Sequence, residues 1–350
     1  MNGITVMKYH YNQKELFPVV EVYHDIIPHL SGIGMKTFYT DKEKCAFAWK
    51  TATDILKEYF GDLFPMRKPA PPPISYGHLI SIGAPVTIPD DGEPNVTPFA
   101  HSVDEAIEIL KEKKGIDFSK NEMFQHYLDL WSCLKERFPE EKIPFTGFNH
   151  QGPVTSAVLM RGQDFFYDIY DEPEKSREFL KLLTASTIDF IKQNRRINGQ
   201  PEILESGNIA DDFASLIPPD MWDEFVIAHW NQVYEGLCSG KERFVHVENL
   251  CPDHLKYLIN AKITHYQPSV SEKITLKDVK ENLDPGITFD WLLYSFHITG
   301  MTDKQIEDWV DKTVHAGVST IRTQLGAYTH QIDKLDRIKV FFKTFDKYRY

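Results

Sequence analysis

Four cysteines in 350 residues (Cys45, Cys133, Cys238 and Cys251) are too few and too scattered for a disulfide framework, and none forms a CxxC pair. That usage fits reduced thiols in a cytoplasm. Positive charge is also short, with 39 Lys and Arg against 51 Asp and Glu and a net charge of −12. No basic tract and no Lys/Arg stripe interleaved with aromatics is present, which excludes nucleic acid as the expected partner. No apolar run approaches the ~20 residues of a membrane span, and Met1-Asn2-Gly3-Ile4-Thr5 lacks a signal-peptide pattern. A GxGxxG at a strand–helix turn is missing, which weakens a dinucleotide-binding reading. Low-complexity segments and solenoid-period repeats are missing too. No arginine occurs before Arg67.

What is present is a globular composition, 42% hydrophobic and 13% aromatic, enough for one large core or two small ones. Residues 1–66 read as mostly helical. Thr40 to Glu43 fits a capping box with Thr40 as N-cap, opening a helix to about Phe60 with Phe47, Ile55, Leu56 and Tyr59 on or near an apolar face. After residue 140 strands alternate with amphipathic helices. Strands are expected at Ile143–His150, Ile203–Ser206, around Phe244, at Ile263–Gln267, Ile287–Trp291 and Thr320–Gln324, with weaker ones near Leu63 and Val86. Helices are expected from Asp171 onward, from Pro219-Asp220, and after a second capping box at Thr302 to Gln305. Such alternation implies parallel βαβ units. Seven to eight of them suit an α/β (β/α)8 TIM-type barrel (residues 67–350) with an N-terminal helical extension (residues 1–66) packing on it. A doubly wound open sheet is the alternative.

The chain's chemistry is expected at Arg243 to Pro252. A short strand here ends in a polar cluster, and side chains two apart on a strand share a face. His246 and Glu248 should therefore project together, with Val245 and Val247 on the other side. At the carboxyl end of a parallel strand, such a pair can hold a divalent metal or move a proton. A buried His–Glu pair that only shapes the loop gives the same pattern.

Several further segments resemble the uroporphyrinogen decarboxylase superfamily. Gly152 to Ala157 matches its Gly-Pro-(Phe)-Thr/Ser turn, Asp168 to Glu174 its "DLYDDPE" helix start, and Leu182-Leu183-Thr184 its "LLT" stretch. Asp211-Asp212 with Pro218 to Phe225 is similar to its "DD…SPEMFREF" segment, and His246-Val247-Glu248 stands where many members carry "H-x-C-G". The resemblance spans roughly residues 20–345 and implies a distorted barrel of this kind with its site at the strand carboxyl ends. Within the superfamily, the decarboxylases carry an arginine-rich "RQAGR" loop near the N-terminus for the propionates of their substrate. A chain without arginine before Arg67 departs from that branch. Leu30 to Gly34 followed by Phe38 to Asp41 resembles the "LAGIPAKEFYT" start of corrinoid-dependent methyltransferases, O-demethylases of methoxylated aromatics among them. Ile82 to Pro94 resembles their "ALGQ…DGIP" hairpin.

The resemblance implies transfer of a methyl group from a small methylated substrate, for example an aromatic methyl ether, to a cobalamin-type corrinoid on a partner protein. A decarboxylase and a non-catalytic corrinoid- or ligand-binding relative are the alternatives, and a homodimer is left open. In the thiol-alkylating branch zinc is held by His-x-Cys on this strand and a further Cys on the last one. Here Glu248 replaces the first thiolate and Gln324 stands near the place of the last, so a site of His246, Glu248 and Gln324 would be harder and weaker than His-Cys-Cys zinc. His246 and Glu248 are the expected catalytic residues. Asn149, His150, Asp211, Asp212 and His297 are the candidate substrate contacts, with strand-end hydrogen bonding, helix capping and a plain surface position as the competing readings. Cys251 is expected as a buried helix-start residue, and Trp222, Trp230 and Trp309 as core.

Overall fold

The computed structural model describes residues 8–269, 271–329 and 331–349. Its strands, in chain order, are β1 (Tyr9–Tyr11), β2 (Lys14–Val22), β3 (Val86–Thr87), β4 (Asn95–Val96), β5 (Leu204–Ala210), β6 (Cys238–His246), β7 (His265–Gln267), β8 (Thr288–Leu293) and β9 (Thr320–Leu325). The chain divides into a larger unit, residues 70–267 and 271–288, and a smaller one, residues 1–69, 268–270 and 289–350.

In the larger unit β5, β6 and β7 run parallel, with Ala210 opposite His246 and His246 opposite Gln267. The register places three carboxyl-terminal strand residues in one row, and whatever follows them in sequence starts from that row. The 25-residue helix Pro173–Ile197 follows the expected opening, with proline in the first turn where its missing N–H leaves no donor unsatisfied. It buries Phe179, Leu180, Leu183, Phe190 and Ile191, each contributing about 1.5–3 kcal/mol of apolar burial.

The stretch expected as a strand at Ile143–His150 makes only one parallel bridge, Ile74 with Phe148. Pro144 has no N–H to give a ladder. Gly147 is pressed against Pro71, where an added Cβ would lie 2.6 Å from the proline side chain. Helix amides then take over the segment's main chain: Asn198 receives the Phe145 N–H at 2.7 Å and donates to the Phe145 carbonyl, while Asn194 donates to the Phe148 carbonyl. Side chains thus satisfy groups that a sheet neighbour would otherwise pair. Val86 lies in an antiparallel pairing, β3 with β4, and Leu63 follows a turn at Gly61 whose φ is +56°. Neither is a parallel strand.

In the smaller unit β2 runs parallel to β9 and β9 to β8, while β1 pairs antiparallel with β2. The stretch read as mostly helical therefore contains strands at its start. Pro18 and a row of half-buried residues from Pro18 to Glu21 hide the two-residue period that would have announced β2. The helix Lys42–Phe60 is present, but Asp41 caps it, accepting from the Glu43 and Lys44 N–H groups at 3.0 Å each. The Thr40 hydroxyl instead donates to the Lys36 carbonyl. The inner face is Cys45, Ala48, Trp49, Ala52 and Leu56, and Phe47 is exposed. The second capping box, Thr302 with Gln305, forms as expected. Arg322 on β9 donates to Asp290 on β8 at 2.7 Å and to Glu21 on β2 at 2.9 Å, a short-range charge cluster about a buried Asp290.

Candidate functional site

Asp211 and Asp212 follow β5 and separate at once. Asp211 is fully buried and lies at the start of the helix Pro153–Arg161. Its carboxylate accepts the Thr155 N–H at 2.7 Å, the Val154 N–H at 3.2 Å and the Trp230 indole N–H at 2.8 Å. These are amides of a helix's first turn, which have no partner inside the helix. Burial pushes the Asp211 carboxyl up to about 6, against the hydrogen bonds that favour its charged form. Gly152 is required by the close approach: a Cβ there would lie 2.4 Å from the Asp211 Cβ. The Gly-Pro turn and the first aspartate of the Asp-Asp pair are thus two halves of one cap. Asp211 was a candidate substrate contact, and the structure engages both its oxygens in this cap. Trp230, expected as core, is core and also a donor to it.

Asp212 turns the other way and is half-exposed. Its Oδ1 lies 3.4 Å from His246 Nε2 and accepts the Glu248 N–H at 3.2 Å. Glu248 Oε1 lies 3.9 Å from the same Nε2. β6 ends at His246, yet the expected alternation carries on for two residues: Val245 and Val247 are buried while His246 and Glu248 stay accessible. On the other side of the ring, Nδ1 lies 3.0 Å from Gln267 Oε1. An amide oxygen only accepts, so Nδ1 carries a proton and Nε2 is left facing two carboxylates. Asn249, just beyond, holds a left-handed backbone at φ +57°, a conformation non-glycine residues take at some cost.

Tyrosines surround this cluster. Burial, and then the Asp212 and Glu248 charges, raise the Tyr266 hydroxyl, which donates to the Val247 carbonyl at 3.2 Å. Tyr76 is raised by burial and then by Glu93 and Asp212. Both phenols stay protonated, and that of Tyr266 is committed to the Val247 carbonyl.

The remaining candidates fall elsewhere. Asn149 uses its main chain to receive from the His78 N–H and to donate to the Ile74 carbonyl. His150 is half-buried, and desolvation, then the charge of Arg195, lowers it to about 4, so its ring is neutral near pH 7. His297 belongs to the smaller unit, in the short helix Ser295–Ile298, with its ring 4.2 Å from that of Phe296. Gln324 also belongs to the smaller unit and donates to Glu21 at 3.5 Å. Among the described residues no group of three or more His, Cys, Asp or Glu side chains is arranged to hold a metal. Of the donor set drawn from His246, Glu248 and Gln324, the first two stand together in the larger unit.

Gln267 had no separate signal in sequence, whereas Asp212 was already a candidate there, and its carboxylate is the one that approaches His246. Gln267 is a polar residue closing a three-residue strand, and its weight comes only from the register that sets it opposite His246. Among the described residues, no helix is long and apolar enough to cross a membrane.

Comparison with known proteins agrees with this architecture. The family model for uroporphyrinogen decarboxylase (URO-D) matches residues 77–290, more than half of the chain and the whole of the His246 cluster. A solved methyltransferase from Methanosarcina mazei is similar in fold, with a TM-score of 0.68 at 15% identity, covering 97% of this chain and 95% of that one. No curated protein matches. The fold class is therefore the expected one, α/β of the (β/α)8 TIM-type barrel kind.

Proposed function

The chain belongs to the uroporphyrinogen decarboxylase (URO-D) family, and on that premise we propose that it is a methyltransferase, passing a methyl group from a small methylated substrate to a corrinoid on a partner protein. The observation that carries this reading is the arrangement at His246: one ring nitrogen tied to Gln267, the other directed at Asp212 and Glu248.

The corrinoid enters as a co-substrate and supplies the reduced cobalt nucleophile, so this chain need not provide one. What the chain must provide is a proton for the departing heteroatom, a fixed orientation and a place for the methyl donor. As the methyl–heteroatom bond breaks, its electron pair stays on the heteroatom, and the proposed proton donor to it is His246 in its imidazolium form, with a proton on Nε2 as well as on Nδ1. Asp212 and Glu248 offset the imidazolium charge before the transfer, and Gln267 holds the ring against rotation. The Glu248 N–H fixes Asp212, so one carboxylate is positioned by the backbone of the other. The Tyr266 hydroxyl, held protonated, keeps the Val247 carbonyl and hence the strand end in place.

The decarboxylase activity in the family's name calls for guanidinium groups around a polycarboxylate substrate. The partners of His246 are two carboxylates and an amide, which favours the methyl-transfer reading. An aromatic methyl ether is the proposed donor class: it loses a phenoxide whose electron pair a neighbouring proton donor can take up. The test is methylcobamide formation with a purified corrinoid protein and a panel of methylated donors, followed by its absorbance. His246→Ala and Glu248→Ala are expected to slow the reaction strongly. Unchanged rates in both would remove the cluster from the chemistry, and tight porphyrinogen binding with no methyl transfer would return the decarboxylase reading.

A further inference from the structure

A second reactive arrangement lies in the larger unit, on the loop that leaves the His246 strand. Cys251 precedes the four-residue helix Pro252–Leu255, and its Sγ lies 3.1 Å from His254 Nδ1. His254 is 3% exposed, and its Nε2 lies 2.9 Å from the Ile217 carbonyl oxygen. That oxygen only accepts, so Nε2 carries the ring proton and Nδ1 is the bare nitrogen. Nδ1 therefore accepts the Cys251 S–H. Trp222 covers the imidazole, with ring centroids 4.7 Å apart, and donates its own N–H to the Ala214 carbonyl. Burial lowers the basicity of His254 and keeps its ring neutral, able to accept a proton near pH 7. Cys251, expected to be buried, is instead partly exposed.

The other three thiols form a contrast. Cys45 and Cys133 are buried. Cys238 is partly exposed, as Cys251 is, but its Sγ lies among the carbonyl oxygens of Glu205, Gly240 and Glu242, at 3.1, 3.5 and 3.8 Å. Carbonyls accept the thiol hydrogen but take up no proton, and they repel negative charge developing on sulfur. We propose that Cys251 and His254 form a thiol–imidazole pair that makes Cys251 this chain's site of covalent modification by soft electrophiles.

The step follows the usual logic of an activated thiol. With a haloacetamide, an S–C bond forms as the carbon–halogen bond breaks. The halide leaves with the bonding pair, and His254 Nδ1 takes the thiol proton. The same nitrogen also accepts the Cys251 N–H at 3.1 Å, and that contact is given up when the proton arrives. The transfer therefore accompanies the attack of sulfur instead of preceding it. Cys251 is three residues beyond Glu248, so an adduct there sits on the loop that carries the proposed site's carboxylate.

The test is competitive labelling of the full native chain with a limiting amount of iodoacetamide at pH 7, with each cysteine followed by peptide mass spectrometry. Cys251 is expected to react at least about tenfold faster than Cys238. In urea, where the imidazole is released, the two rates are expected to converge. His254→Gln is expected to bring the Cys251 rate down to that of Cys238 and leave Cys238 unchanged. Equal native rates, a Cys251 preference that survives urea, or a Cys251 rate unaffected by His254→Gln would each overturn the proposal. Labelling of Cys45 and Cys133 in the variant would reveal unfolding, and the wild-type contrast between native and urea conditions then decides alone.

Discussion

Asp211 and Asp212 are consecutive residues with opposite surroundings. The first is sealed under a helix start and answers three N–H donors between 2.7 and 3.2 Å. The second is half-exposed and approaches an imidazole at 3.4 Å, with Glu248 further off at 3.9 Å. A saturated carboxylate with short contacts holds structure, because no ligand can improve on partners already in place. A carboxylate with long contacts and access to solvent retains unused acceptor capacity, which is what a site exchanging protons with a substrate requires. The Arg322–Asp290–Glu21 cluster of the smaller unit, at 2.7 and 2.9 Å, shares the short contacts of the first. Contact length and burial together, more than the presence of charge, separate the two.

The comparison is broken most directly by removing Asp211. Asp211→Ala strands three buried or partly buried donors, and a loss of about 3–5 kcal/mol in unfolding free energy is expected, read by chemical denaturation. A loss below about 1 kcal/mol would show that water or relaxation replaces the cap with ease. The reciprocal change is His246→Ala. It should alter stability by less than about 1 kcal/mol while slowing methyl transfer about 10²- to 10⁴-fold, the usual range for a lost proton donor. If the order is reversed, with His246 costing stability and Asp211 costing rate, the division of labour drawn here is wrong.

A smaller effect sharpens the open side. Gln267→Leu keeps the imidazole and removes the acceptor that orients it, so a rate loss of about 10- to 100-fold is expected, mainly in kcat. Gln267→Glu restores an acceptor toward Nδ1 and should recover much of that loss. A Gln267→Leu enzyme with wild-type kinetics would mean that the carboxylates alone set the ring.

Much of this was readable in the sequence because it rests on local rules. The alternation Val245-His246-Val247-Glu248 sorted buried from accessible residues correctly even past the end of β6, since the side-chain period outlasts the ladder. The Gly152-Pro153 turn and the Asp211-Asp212 pair were visible as motifs, but their union was not. Their contact spans 57 residues, and only the fold reveals that Gly152 is small because Asp211 lies against it. β2 was missed because Pro18 and half-buried neighbours blur its period. The segment at Phe145 was over-read as a strand because sequence shows its apolar residues but not the helix amides of Asn194 and Asn198 that capture its carbonyls. Gln267 lay beyond sequence reasoning altogether, because register across parallel strands fixes its importance.

The finest test asks which force prevails at Asp211. Burial favours the neutral acid, while three N–H donors favour the carboxylate, and the balance leaves its pKa raised to about 6 from an ordinary 3.8. A raised value means that between these two pH values the folded state binds more protons than the unfolded one. Unfolding free energy owed to this group is then fully present below about pH 4 and is lost as pH rises through 6, at up to about 1.4 kcal/mol per pH unit. The stability gap between wild type and Asp211→Ala should therefore be wider at pH 4 than at pH 7. If the donors outweighed burial, the carboxyl would be lowered and the gap would widen with rising pH instead. Denaturation of both proteins at the two pH values reads the sign directly, and the expected outcome is a narrowing, because the site excludes water from both carboxylate oxygens while each donor supplies only part of a water's hydrogen-bonding capacity.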